Sequence, residues 1–177
     1  MKLITTGITE IREELFHRVL NDTKDNRNKP FGGLWASTYF QDEENNHYSS
    51  WINWCRNNYL EDADDELLQK YSNGIVFELK PETKIYQIDS MDEYLKCLEK
   101  YSIILKMFRL KKGIDFEKLS LDYDAIHLTE NAIWQMRFIS DRSDIMDFYS
   151  WDVESFILFN PDCIVQDSIT QLNILYK

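Results

Sequence analysis

Two acids, Asp152 and Glu154, stand one residue apart just ahead of the apolar run Ser155-Phe156-Ile157-Leu158-Phe159. On a strand, that spacing puts both carboxylates on one face, about 6.5–7 Å apart. An acid at the mouth of a buried strand is rigid and partly desolvated, as a catalytic acid or a ribose-binding carboxylate must be. A solvated or salt-bridged strand end has the same pattern. A second group lies far upstream, where Gly32 and Gly33 precede Leu34-Trp35, and Trp51 and Trp54 follow with Cys55 directly after. Paired glycines permit an unusual backbone angle or close approach of a ligand to the main chain. Indole faces suit stacking on a planar ring. Ordinary core packing produces the same aromatic stripe.

Other chemistries find less support. The phosphate-cradling, dinucleotide-binding, zinc-protease and nucleophile-elbow glycine and histidine patterns are absent from the chain. His17, His47 and His127 are isolated and give no ligand spacing, and His127, inside an apolar run, reads as a hydrogen-bonded core residue. Cys55, Cys97 and Cys163 are too dispersed for a disulfide framework or a metal site, and read as buried thiols in a reducing compartment. A net charge of −11 opposes general attraction to nucleic acid or anionic membrane. Lys24, Arg27 and Lys29, and separately Arg109, Lys111 and Lys112, form small basic groups that read as local phosphate contacts or as solvated surface. Acceptor recognition is expected in the polar loop 139–152, and Arg137 and Arg142 nearby read as phosphate contacts or as surface arginines without a specific task.

The elements that must position these residues follow from periodicity. At 177 residues, with no repeat and no flexible linker, the chain reads as a single domain spanning 1–177. No apolar run reaches the roughly 20 residues of a membrane span, and the acidic start does not fit a signal peptide, so a cytoplasmic protein without a membrane partner is expected. Strands are predicted over 2–6, 33–38, 74–80, 84–89, 123–129 and 154–160, with a seventh candidate at 171–177. The 74–80 and 84–89 strands read as a hairpin or as two strands joined by a bend. Helices are predicted after Thr9, through Ile11, Leu15, Phe16, Val19 and Leu20; after Ser49 or Ser50; over 64–71; after Ser90, with Glu93 completing a capping box; and over 115–121. Strands outnumber helices without regular alternation, which predicts an α+β fold with mostly antiparallel pairing.

Taken in order, these stretches resemble the ADP-ribosyltransferase superfamily, in its diphtheria-toxin-like and poly(ADP-ribose) polymerase-like branch. "GLWAS" followed by "SSWINWC" is similar to that branch's strand and helix bearing the aromatics that stack on nicotinamide, and "ESFILFNP" is similar to its late catalytic strand. Thr6-Gly7 stands where the polymerases carry a His-Gly pair. The combination KPxGGLW, WxxWC and a late NPD also resembles uncharacterised bacterial and phage proteins. The resemblance implies two packed sheets with flanking helices and NAD as substrate without a metal. It implies Glu154 and Asp152 as catalytic acids, and a NAD site drawn from Thr6, Gly7, Gly33, Trp35, Ser37, Trp51 and Trp54. The expected activity is mono-ADP-ribosyl transfer to a protein or nucleic-acid acceptor, in a toxin or phage-conflict effector that an antitoxin or inhibitor protein could restrain. An NAD glycohydrolase, a non-catalytic ADP-ribose- or partner-binding module, and an acidic mimic that neutralises a basic partner remain the alternatives.

Overall fold

The computed structural model describes residues 1–16, 18–22, 28–58, 71–105, 110–139 and 142–174. The expectations for His17, Lys24, Arg27 and Arg109, and for the helix over 64–70, lie outside these residues. The fold is α+β. Seven strands form one mixed sheet: β1 (Lys2–Thr6), β4 (Leu34–Thr38), β7 (Asn73–Leu79), β8 (Ile85–Ile88), β11 (Ala125–Leu128), β12 (Ser155–Leu158) and β13 (Ile164–Asn173). Their order is β13-β7-β1-β4-β12-β11-β8, antiparallel throughout except for the parallel pair β11–β8. Three two-stranded ladders flank it: β2 (Leu20–Asn21) with β3 (Pro30–Phe31), β5 (Phe40–Gln41) with β6 (His47–Tyr48), and β9 (Ser102–Leu105) with β10 (Lys111–Ile114). Among the described residues no helix is long and apolar enough to cross a membrane.

One continuous sheet replaces the two packed sheets expected, and β4 is the reason. Leu34, Trp35 and Ala36 pair with Leu158, Ile157 and Phe156 of β12, whereas Ser37 and Thr38 pair with Ile4 and Leu3 of β1. Five residues thus join the two halves. Strand alternation then sorts the side chains. Leu3, Leu34, Ala36, Ile75, Phe77, Ala125, Phe156 and Leu158 make a buried cluster on one face. Ile126, Leu128 and Ile157, with Trp35 packed against them, point to the opposite face, where helices α2 (Met91–Lys100), α3 (Phe116–Leu119) and α4 (Glu130–Met136) complete a second core. Ile4 and Val76 share that opposite face but belong to a third, smaller cluster closed by Ile52 of helix α1 (Ser50–Asn58).

Local signals explain most of the helices. Ser49 caps α1 by accepting from the Ile52 N–H at 3.0 Å, leaving Ile52 and Cys55 inward. Ser90 accepts from the Glu93 N–H, and the Glu93 carboxylate accepts from the Asp89 N–H at 2.6 Å, one residue earlier than in a standard capping box. Thr129 caps α4, a helix the sequence reading did not anticipate. The helix expected after Thr9 is reduced to a short 3-10 turn at Glu13–Phe16. Its apolar residues have separate destinations: Phe16 enters one core, Val19 the other, and Leu20 leaves to pair with Phe31. The segments 74–80 and 84–89 are joined by a bend and are not hairpin partners, because β7 pairs with β1 and β13 while β8 pairs with β11. The last strand begins at Ile164, well before 171, and its register shifts between Val165 and Thr170. At that shift the Ser168 hydroxyl accepts from the Glu78 N–H at 2.8 Å in place of a main-chain carbonyl.

Candidate functional site

A cavity of about 320 Å³ opens where the helix-bearing face changes from one core to the next. Ile4 of β1, Trp51 of α1, Trp35 of β4 and Trp151 line it. Trp35 and Trp151 meet with centroids 5.0 Å apart and planes at 43°, which makes an angled aromatic wall. Trp151 is buried, and its indole N–H donates to the Asn28 carbonyl at 3.0 Å, so its face, not its polar edge, is presented. Trp51 is backed by Trp54, stacked on it at 4.9 Å with planes 18° apart. Of the expected stacking pair, Trp35 therefore reaches the cavity directly. Trp54 does not line it, and supports Trp51 from behind.

The acids are less simply placed. Strand β12 begins at Ser155, so Asp152 and Glu154 sit in the connection before it and are not paired on one strand face as expected. Both line the cavity. The Asp152 carboxylate lies 3.5 Å from the Arg137 guanidinium. Glu154 is 7% exposed, and its carboxylate accepts from the Thr38 hydroxyl at 2.8 Å and from the Thr38 N–H at 3.1 Å. It also meets His127 Nε2 at 2.9 Å. Continuing the β4–β12 register by two steps sets Glu154 opposite Thr38, on the side of the sheet where the His127 ring stacks on Phe156 at 3.8 Å. Trp35 and Ser37 belong to the other side. Thr38 and His127 thus hold the carboxylate on the face opposite the Trp35 and Ser37 side chains, and Glu154 lines the cavity from the connection before β12.

The glycines have mainly structural tasks. Gly33 has φ +73°, and a Cβ there would lie 2.6 Å from Ile157 Cγ2, so it permits β4 to approach β12. It does not line the cavity. Gly7, expected in the NAD site, also lies outside it, and its N–H is spent on the Asn73 carbonyl at 2.8 Å. Thr6 and Ser37 do line the cavity. Among the described residues the Ser37 hydroxyl oxygen has no hydrogen-bond partner, although the residue is only 2% exposed. A buried hydroxyl left unpaired costs on the order of 1–3 kcal/mol, which a ligand's polar group would recover. Comparisons with family models, curated proteins and solved structures find no match to this chain. Among the described residues no group of three or more His, Cys, Asp or Glu side chains is placed to hold a metal ion.

Six of the nine residues singled out in the sequence, Thr6, Trp35, Ser37, Trp51, Asp152 and Glu154, meet at this cavity. Gly7, Gly33 and Trp54 do not. Sequence reasoning missed Tyr71 and Trp151 in the lining, named Lys29 only within a basic group, and missed the pair Thr38–His127 that holds Glu154. Trp151 stands next to Asp152 and could have been found by treating the acid's neighbours as site residues. Nothing local marks Thr38, and the sequence marks His127 as a hydrogen-bonded residue without naming Glu154 as its partner. Chemically, three indoles, an orphaned hydroxyl and two acids make a slot for a flat, polar-edged ring with carboxylates at its rim.

Proposed function

We propose that the chain is a NAD-dependent mono-ADP-ribosyltransferase whose nicotinamide-binding slot is the tryptophan-lined cavity. The observation that carries this reading is the convergence on one cavity of Thr6, Trp35, Ser37, Trp51, Asp152 and Glu154. These are residues that the superfamily resemblance assigns to one site, although they span the chain from residue 6 to residue 154. Trp35, Trp51 and Trp151 would clamp the planar ring, and the Ser37 hydroxyl would take its carboxamide. Breaking the bond from nicotinamide to ribose builds positive charge on the sugar, so a fixed carboxylate stabilises the transition state more than the bound substrate. Glu154, held by Thr38 and His127, and Asp152, at the same rim, supply that field. The acceptor is a protein or nucleic acid, and a cytoplasmic toxin or phage-conflict effector with a cognate inhibitor fits such an activity.

Labelled NAD incubated with the folded protein and candidate acceptors tests the reading. Nicotinamide release together with label on an acceptor is expected. Free ADP-ribose with no modified acceptor selects a glycohydrolase instead. Absence of both products from protein that melts cooperatively removes the enzyme. A second reading, a binding module that holds NAD or ADP-ribose without turnover, is favoured by one specific observation: Glu154 already receives three hydrogen-bond contacts from Thr38 and His127. Calorimetric binding of NAD without product selects that module.

A further inference from the structure

Helix α4 and the connection after it hold three large aromatic side chains out in solvent. Trp134 and Phe138 are 73% exposed and Tyr149 is 63% exposed. The core does not use them, because Ala132, Ile133 and Met136 fill the inward face of the helix. Trp134 and Phe138 stand four residues apart, and Arg137 keeps helical angles between them (φ −67°, ψ −33°), so both rings lie along one side of α4 and its last turn. Tyr149 joins them from the connection, with its ring centroid 5.7 Å from that of Phe138. Each such ring has roughly 150–250 Å² of surface to bury. A contiguous apolar patch on the order of a few hundred Å² marks an interaction surface.

The groups beside the rings decide the partner. Glu130 is exposed one turn before Trp134, and the Asp147 carboxylate accepts from the Tyr149 N–H at 3.1 Å. The surface also shows how it treats a guanidinium of its own. Arg137 lies over the Phe138 ring, 6.0 Å from the centroid, and 3.5 Å from the Asp152 carboxylate. A planar cation on an aromatic face with a carboxylate at its edge is an arrangement that arginine makes better than lysine. Phosphates of a nucleic acid would meet these acids and a net charge of −11. A two-fold contact between copies of the chain would set Glu130 and Asp147 against the acids of the same patch. We infer that Trp134, Phe138 and Tyr149 form a docking surface for an arginine-bearing segment of another protein, whose guanidinium groups stack on Trp134 and Tyr149 beside Glu130 and Asp147. The Arg137–Asp152 pair links this surface to the cavity, and its chemistry is the same whatever the cavity binds.

Fluorescence anisotropy with labelled peptides that alternate glycine with arginine, or glycine with lysine, tests the inference. About 0.15 M salt screens general attraction to the acidic chain. The native protein is expected to bind the arginine peptide about fivefold or more tightly than the lysine peptide, the scale of one or two cation–π contacts. A Trp134→Ala/Tyr149→Ala variant should bring the two peptides within about twofold at an unchanged melting temperature, since both rings are exposed, and a Trp134→Phe/Tyr149→Phe variant should keep the preference. Equal affinity of the native protein for the two peptides, binding of neither, or a preference that survives in the alanine variant overturns the inference. So does tighter binding of a thymine oligonucleotide, which would make the rings a base-stacking platform, or a dimer that the alanine variant loses, which would make them a contact between copies.

Discussion

Glu154 is a buried carboxylate whose position depends on two residues that no sequence pattern connects to it. Thr38 is 116 positions away and His127 is 27, yet the Thr38 hydroxyl and the His127 imidazole meet one carboxylate oxygen and the Thr38 N–H the other. Two substitutions separate what the acid does from what holds it. Glu154→Gln keeps the shape and an oxygen for Thr38, so nicotinamide release should fall by on the order of 100–1,000-fold while the unfolding midpoint moves little. His127→Ala removes a donor and the ring stacked on Phe156, and should cost about 1–3 kcal/mol in urea unfolding. An unaltered rate in Glu154→Gln would favour the binding module. The residue types at the site were largely legible because tryptophans, glycines and acids are sparse and chemically distinctive. Lys29 was legible only as one member of a basic group, since nothing in "NKPF" shows that Asn28 anchors it against Trp151.

At the scale of elements, β4 carries both the tryptophan of the cavity wall and the junction of the sheet, and it can do so because the residue before it is a glycine. At Gly33 an added methyl would meet Ile157 and force a left-handed backbone on an alanine. The stabilisation that alanine brings by restricting the unfolded chain, about 0.4–1 kcal/mol, is smaller than the combined strain and overlap, about 1–3 kcal/mol. Gly33→Ala should therefore lower the melting temperature measured by calorimetry and weaken NAD binding together, because both depend on the same approach of β4 to β12. Six of the seven strands of the main sheet were readable from their apolar runs, β13 being expected only from 171, and α1, α2 and α3 from their caps and spacing. The short ladders β2–β3, β5–β6 and β9–β10 were not, nor were two further elements. Helix α4 has seven residues, too short for periodicity to stand out, and Thr129 gives its start away only once the preceding strand is known to end. The segment after Thr9 has helical spacing because its apolar residues feed two different cores, which mimics a single stripe.

For the molecule as a whole, the sheet order β13-β7-β1-β4-β12-β11-β8 brings early, middle and late segments side by side, so that residues 6, 35 and 152 share one cavity. Strand boundaries alone do not specify that order; it depends on which apolar faces meet. The same burial has a measurable pH consequence. Desolvation first, with smaller charge and hydrogen-bond effects, pushes the thiols of Cys97 and Cys163 from an ordinary value of 9.0 up to about 12. Because the folded-state values lie above the unfolded ones, their contribution is complete below pH 9 and is lost as pH rises from 9 towards about 12, where the unfolded chain ionises first. Urea midpoints should fall across that window, and a Cys97→Ala/Cys163→Ala double variant should show a shallower fall. A flat profile in the native chain would mean that these thiols are open to solvent.

The register shift in β13 bears on how copies of this chain treat one another. An outermost strand ten residues long is a template on which a second molecule could lay a strand, and repetition of that event is the first step of fibril growth. Here the template is interrupted midway, and Ser168 answers a main-chain amide inward in place of a regular rung. Replacing Ser168 with valine, which favours an unbroken extended rim, should make light scattering rise with protein concentration and thioflavin fluorescence appear on standing. A variant that stays monodisperse under those conditions would show that something other than the interrupted rim keeps the copies apart.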